Sequence, residues 1–210
     1  MSIPRLSCAG DGAAAAAARA GAILAAGGVI AAPTETVYGL MCRWDCPAAR
    51  QRLIRMKGRS PEKHLQMLAE SLDAAAAAGL VVDVRLRRLA AAFWPGALTA
   101  VGATADGGSI GLRLPRHAFV QALLQSAGGP LAASSANRAG QPPALDATAA
   151  VAELLEAPDL LVDGGPVVAG GQASTVVDVS APDSWRLLRA GPIDLAALRE
   201  VLGDPAETGA

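Results

Sequence analysis

Residues 33–40 read "PTETVYGL". They follow the apolar run "GGVIAA" (27–32) and lead into "LMC" (40–42). A buried strand thus runs straight into a proline, two threonines, a carboxylate and the chain's one tyrosine. Two readings stand open. The hydroxyls of Thr34 and Thr36 can satisfy their own turn. Alternatively, they line a site at the end of a core strand, where open α/β sheets place their ligands.

Working outward, the neighbouring segments fix the class. An alanine-rich helix runs from Ala13 to the glycines at 27–28, with Asp11 as its cap. "VIAA" is a short buried strand. Asp45 and Pro47 open a second helix with Leu53, Ile54 and Met56 in its apolar stripe. It stops at "KGRSPEKH". "LQMLA" reads as a strand, followed by helices at Ser71–Ala78 and Asp83–Phe93. "WPGALTAVGA" is a turn and a strand, and Asp106-Gly107-Gly108 signals a hairpin into "SIGLRL". A helix from His117 to Ala127 leads to the strand "LAAS". The loop "SANRAGQPPALD" ends with Asp146 capping a helix to Glu156. Strands at "LLVDGG", "STVVDV" and "WRLLRAG" precede a short helix from Asp194. Strands alternating with helices, plus a hairpin, predict one α/β domain over residues 1–210 with a twisted mixed sheet. Its core spans about 15–202 and its ends are frayed.

Composition narrows the function. The chain has 210 residues, 52% of them hydrophobic but only 3% aromatic, so its core is built of Ala, Val and Leu. Eighteen basic and 19 acidic residues give a net charge of −1, which exerts no global pull on nucleic acid. The alanine-rich stretch carries Arg19 and is no membrane span. Asp11 stands where a signal peptide would be positive, so a cytoplasmic protein is expected. Cys8, Cys42 and Cys46 with two histidines make no metal quartet and are read as reduced structural thiols.

Polar clusters recur at strand ends: "PTETVYGL", "KGR", "SIGLR", "SSAN", "AST" and "LLRAGP". Lys57 and Arg59 follow a helix end, where cations complement the dipole or converge on an anion. In "SIGLRLP" alternation puts Ser109, Gly111 and Arg113 on one face and Ile110, Leu112 and Leu114 on the other. An arginine in so apolar a sheet needs a partner, unless that face is solvated. "SSAN" suits either a turn or the orientation of a carboxylate or an adenine edge. Ser174 and Thr175 are strand hydroxyls, and Arg189 a surface cation or a ligand group. No serine–histidine–acid set appears, and "GGPVVAGGQAST" lacks the lysine of a P-loop.

In this order, "PTETVYGL", "KGR", "WPGALT", "LRLP", "SSAN", "STVVD" and "LLRAGP" resemble the YrdC-like family of threonylcarbamoyl-adenylate synthases, over about Ala22 to Leu202. The resemblance implies a twisted mixed sheet around a concave crevice. It implies the joining of L-threonine, bicarbonate or CO2 and ATP into threonylcarbamoyl-AMP and pyrophosphate. A downstream threonylcarbamoyl transferase would use the product on tRNA, which the synthase itself meets indirectly or weakly. It implies threonine contacts from Thr34, Arg113, Ser135 and Ser174, with Arg113 on the carboxylate. It implies nucleotide contacts from Lys57, Arg59, Ser109, Asn137 and Arg189, the first two on the phosphates. Mg2+ would ride on the phosphates without protein carboxylates. "AGGQAST", with Gly170 and Gly171, would act as a flap over the unstable carbamate. The chain departs from the family pattern at Ser60 with Pro61 following, at His64, Ala173 and Ala190, and in "QPPALD", which has no hydroxyl before Thr148. Two alternatives accompany the synthase: a YciO-type paralogue, and a non-catalytic RNA-binding module, for which basic stripes and stacking platforms are lacking.

Overall fold

Ten strands form one continuous sheet in the order β1-β8-β2-β3-β7-β4-β6-β5-β9-β10. The computed structural model describes residues 3–60, 65–167 and 171–204. The strands are β1 (Arg5–Ser7), β2 (Ile30–Ala32), β3 (Gly39–Arg43), β4 (Gln66–Leu68), β5 (Leu98–Ala103), β6 (Ser109–Arg113), β7 (Leu131–Ser135), β8 (Leu160–Asp163), β9 (Thr175–Asp178) and β10 (Arg186–Arg189). The helices are α1 (Ala13–Ala25), α2 (Pro47–Met56), α3 (Leu72–Ala77), α4 (Val84–Phe93), α5 (Ala118–Ala127), α6 (Ala149–Ala152) and α7 (Leu195–Leu202). The sheet is mixed: β1/β8, β2/β8, β4/β6 and β5/β9 run parallel, and the other neighbouring pairs antiparallel.

Small side chains let α1 lie close on α5, and Leu24, Phe119, Leu123 and Leu124 bury one face of β2, β3 and β8. Leu53 and Met56 of α2 cover the opposite face with Tyr38, Leu40 and Ala132. That opposite face continues across the sheet as Ala132, Met67, Leu112, Ala100 and Val177. These residues are paired strand to strand, and all are buried, with α3, α4 and α7 packed over the last four. The residues one place along each strand are Ala133, Gln66, Gly111, Val101 and Asp178. Period-2 alternation turns this second row to the other side, where it floors an open cleft. Helices bury one face along this row and leave the other uncovered beyond the reach of α1 and α5, and that is what positions the site.

The expected elements are present with four differences. β1 and β3 are strands that the sequence reading did not place. α1 is capped by Gly12 with no side-chain bond, in place of the expected Asp11. α6 spans only Ala149–Ala152. Asp146 does accept from the Ala149 N–H at 2.8 Å, but Leu155 N–H donates to Met56 O and draws the chain onto α2 before the helix can continue. His64, Pro61 and Gly170 lie outside the described residues. The three cysteines are free thiols, and burial pushes Cys42 up to about 12.

Candidate active site

The cleft has a volume of about 390 Å³. Its floor is the row from Ala133 to Asp178. Its rim carries Thr36, Arg59, Ser135, Ser174, Leu188 and Arg189. At Gly111, mid-floor, an added Cβ would meet the Thr99 methyl at 3.3 Å. The glycine keeps that point low.

The "PTET" turn closes one end. Thr34 Oγ1 donates to Val37 O at 2.7 Å and accepts from the N–H groups of Thr36 and Val37. Its hydroxyl is therefore committed to the turn, and Thr34 is not among the residues lining the cleft. Thr36 is the threonine that lines it, and its hydroxyl accepts from Arg113 Nη1 at 2.9 Å. Glu35 Oε1 lies 2.6 Å from Arg113 Nη2 and also accepts from the Arg116 N–H. Arg113 is only 3% exposed, so its charge needs this counter-ion. Both alternatives for the opening stretch hold together: one threonine serves the turn, and the next two residues hold the buried arginine. Arg113 Nε and Nη2 are buried and make no hydrogen bond, Nη2 facing Glu35 as an ion pair only. Tyr38, wholly buried, anchors the same turn from below, donating to Gly165 O at 2.7 Å and accepting from the Gly164 N–H.

A polar chain crosses the floor. Thr99 Oγ1 donates to Gln66 Oε1 and shares a 2.8 Å bond with Ser174 Oγ. Arg189 donates to the Ser174 carbonyl from Nε and Nη2 and to its hydroxyl from Nη2. Burial and the Arg113 charge lower the Arg189 pKa, though arginine stays cationic.

The third corner corrects one reading of the sequence. Lys57 is no solvated helix-end cation; it is 2% exposed. Its ammonium donates to the Ser135 carbonyl, to Ser135 Oγ and to Asn137 Oδ1 at 3.3 Å. Burial, with the nearby Arg59 charge, lowers its pKa to about 8. Arg59 reaches Ser134 Oγ at 3.0 Å. Asn137 also donates to Arg138 O and Gln141 O, which is the turn geometry open to "SSAN".

Of the expected site residues, Arg59, Ser109, Arg113, Ser135, Ser174 and Arg189 line one cleft. Thr34 does not line it. Lys57 joins it through Ser135, and Asn137 faces a neighbouring hollow with Gln141 and Asp146. Glu35, Gln66, Thr99 and Asp178 were not singled out from the sequence. A polar Gln66 inside "LQMLA" was the available signal, along with the carboxylate inside "PTET".

The family model described as telomere recombination, for the Sua5–YciO–YrdC domain, matches residues 22–191. The chain belongs to this family. A Sua5–YciO–YrdC relative, the putative threonylcarbamoyl-AMP synthase of Mycobacterium leprae (strain TN), is 37% identical over 195 residues, covering 89% of this chain and 87% of the relative. The threonylcarbamoyl-AMP synthase of Rattus norvegicus is 36% identical over 183 residues; the match covers 80% of this chain and 64% of that protein, just under two thirds of its length. Among solved structures, P. abyssi Sua5 complexed with L-threonine superposes with a TM-score of 0.85 at 26% identity, covering 98% of this chain and 62% of that one. The Sua5–YciO–YrdC fold is therefore the fold of this chain.

Among the described residues, no three His, Cys, Asp or Glu side chains gather as a metal site. Asp178, on the cleft floor, is engaged by Ser180 and Arg186. Any Mg2+ in the cleft fits this donor set as a companion of phosphate oxygens. No helix of the described residues is long and apolar enough to cross a membrane.

Proposed function

We propose that the chain is an L-threonylcarbamoyladenylate synthase, joining L-threonine, bicarbonate or CO2 and ATP into threonylcarbamoyl-AMP and pyrophosphate. The observation that carries this is Arg113: a buried arginine with an unpartnered Nε on the floor of a cleft, in a chain 37% identical to a protein named for that activity. The open edge of a guanidinium takes a carboxylate through two parallel hydrogen bonds.

Threonine docks its carboxylate on Arg113, with the hydroxyls of Thr36, Ser135 and Ser174 around its remaining polar atoms. Once its ammonium has released a proton to solvent, the neutral amine adds to CO2 with loss of a second proton, or to bicarbonate with loss of water, to give a carbamate. A carbamate oxygen attacks the α-phosphorus of ATP, and the bond to the β-phosphate oxygen breaks. Both reactants are anionic, so the chemistry is one of position and charge. Lys57, Arg59 and Arg189 supply that charge to the phosphates, with Ser109 and Asn137 toward the nucleotide. Mg2+ carried by the phosphates would neutralise the leaving pyrophosphate. The product passes to a threonylcarbamoyl transferase that modifies tRNA, in the cytoplasm.

The test is pyrophosphate release with ATP and Mg2+. Release that requires both L-threonine and bicarbonate supports the synthase. Threonine-independent release, or none, favours the YciO-type paralogue. Strongly salt-dependent binding of bare tRNA without turnover would favour the RNA-binding module.

A further inference from the structure

The cleft receives two anions, and its cations are not alike. Arg113 already carries a counter-ion: Glu35 lies 2.6 Å from its Nη2 and is pinned by the Arg116 N–H. Lys57 and Arg189 are held only through neutral oxygens, those of Ser135, Asn137 and Ser174. Glu35 does not line the cleft; it flanks Arg113, with Oε2 buried and unpartnered.

We propose that Glu35 is a specificity-determining residue that sorts the two anions by charge. This rests on the reading that Arg113 takes the threonine carboxylate. With Glu35 beside it, Arg113 offers donors but little net charge. A zwitterionic amino acid suits such a place, because it brings its own cation and its carboxylate takes the unpartnered Nε. A phosphate chain with several negative charges meets Glu35 across the same guanidinium and is repelled. The phosphates settle instead at Lys57 and Arg189, neither of which has an ion-pair partner among the described residues. Without this sorting, ATP or pyrophosphate would occupy the threonine place in a cleft of about 390 Å³. Glu35 touches neither substrate and acts through Arg113.

The experiment titrates L-threonine calorimetrically at rising concentrations of inorganic pyrophosphate. Wild-type protein should show less than about a two-fold change in the apparent threonine Kd. Glu35→Gln keeps the shape and removes the charge; in it, pyrophosphate should compete with threonine and raise that Kd roughly ten-fold, about 1.4 kcal/mol. Glu35→Asp, which keeps the charge, should behave as wild type. Glu35→Ala is read in the same way should the glutamine variant fail to fold. Direct competition in wild-type protein overturns the proposal by itself, as does a folded Glu35→Gln that shows none. Arg113→Lys separates the two levels. If it leaves threonine affinity unchanged, the carboxylate reading of Arg113 fails. If it weakens threonine while Glu35→Gln stays silent, charge sorting alone fails.

Discussion

At the scale of single residues, burial decides more than residue type. Lys57 stands in a charged, loop-like stretch of sequence, yet its ammonium lies under the end of β7 and supports the Ser135 carbonyl. Lys57→Ala should therefore cost both activity and stability. The Ser135 carbonyl keeps the Asn137 N–H as a donor but loses the charged one, and a hydrogen bond to a charged group contributes about 1.5–3 kcal/mol, readable as a lower urea midpoint beside lost pyrophosphate release. An unchanged midpoint would return Lys57 to the surface. Its titration gives a second check. The folded pKa is about 8 against 10.5 for the free group. Between those values the unfolded chain binds the proton and the folded chain does not, so this group's contribution to stability rises with pH through that window. Below about 8 it is a constant penalty. The stability difference between wild type and Lys57→Met should shift in favour of wild type across the window, and a flat difference would deny the burial. In the sequence, Arg113 was legible as a cation needing a partner, because alternation set it on one face with Ser109 and Gly111. Its partners were not, since nothing in residue spacing says that Glu35 and Thr36 fold back across 77 positions. Thr34 is drawn from the cleft lining for a local reason: its hydroxyl closes the four-residue turn from Thr34 to Val37.

At the scale of elements, the cleft depends on how β9 meets the chain after β10. Gly191 follows "LLRA", and a Cβ there would lie 2.3 Å from Thr175 N and 2.7 Å from Ala173 O. The backbones approach too closely for any side chain. Gly191→Ala should force β9 and the segment after β10 apart, costing about 1–3 kcal/mol as overpacking does. The Ser174–Arg189 bonds should loosen with it. The expected outcome is a lower melting temperature together with weaker nucleotide binding; a variant as stable and active as wild type would refute the close approach. Elements with strong punctuation were legible. The Asp-Gly-Gly hairpin, Pro47 at the start of α2, and the helix starts at Asp83 and Asp194, which the structure shows as side-chain caps, all stand where the pattern put them. β1 has three residues and gains its identity only by pairing with β8, more than 150 positions away. The helix at α6 was overread because its cap is sound but its continuation competes with docking on α2.

At the scale of the whole molecule, one row of a ten-stranded sheet faces apolar helices and the adjacent row faces a cleft. The α/β class and mixed sheet were legible from alternation, because period-2 patterning survives in short strands. The strand order was not, since non-local pairing leaves no spacing signal. The near-neutral net charge also reads differently in the fold: Arg59, Arg113 and Arg189 converge on the cleft while Glu35, beside Arg113, does not line it. The central claim is that this cleft recognises L-threonine through the open edge of Arg113. L-threonine titrated into wild type and Arg113→Lys, each in saturating non-hydrolysable ATP analogue, tests it most directly. Lysine keeps the charge and loses the fork. Threonine binding should weaken by about 1–3 kcal/mol, the range for a charge-assisted hydrogen bond, while the analogue alone binds both proteins alike. Equal threonine dissociation constants in the two proteins would contradict it.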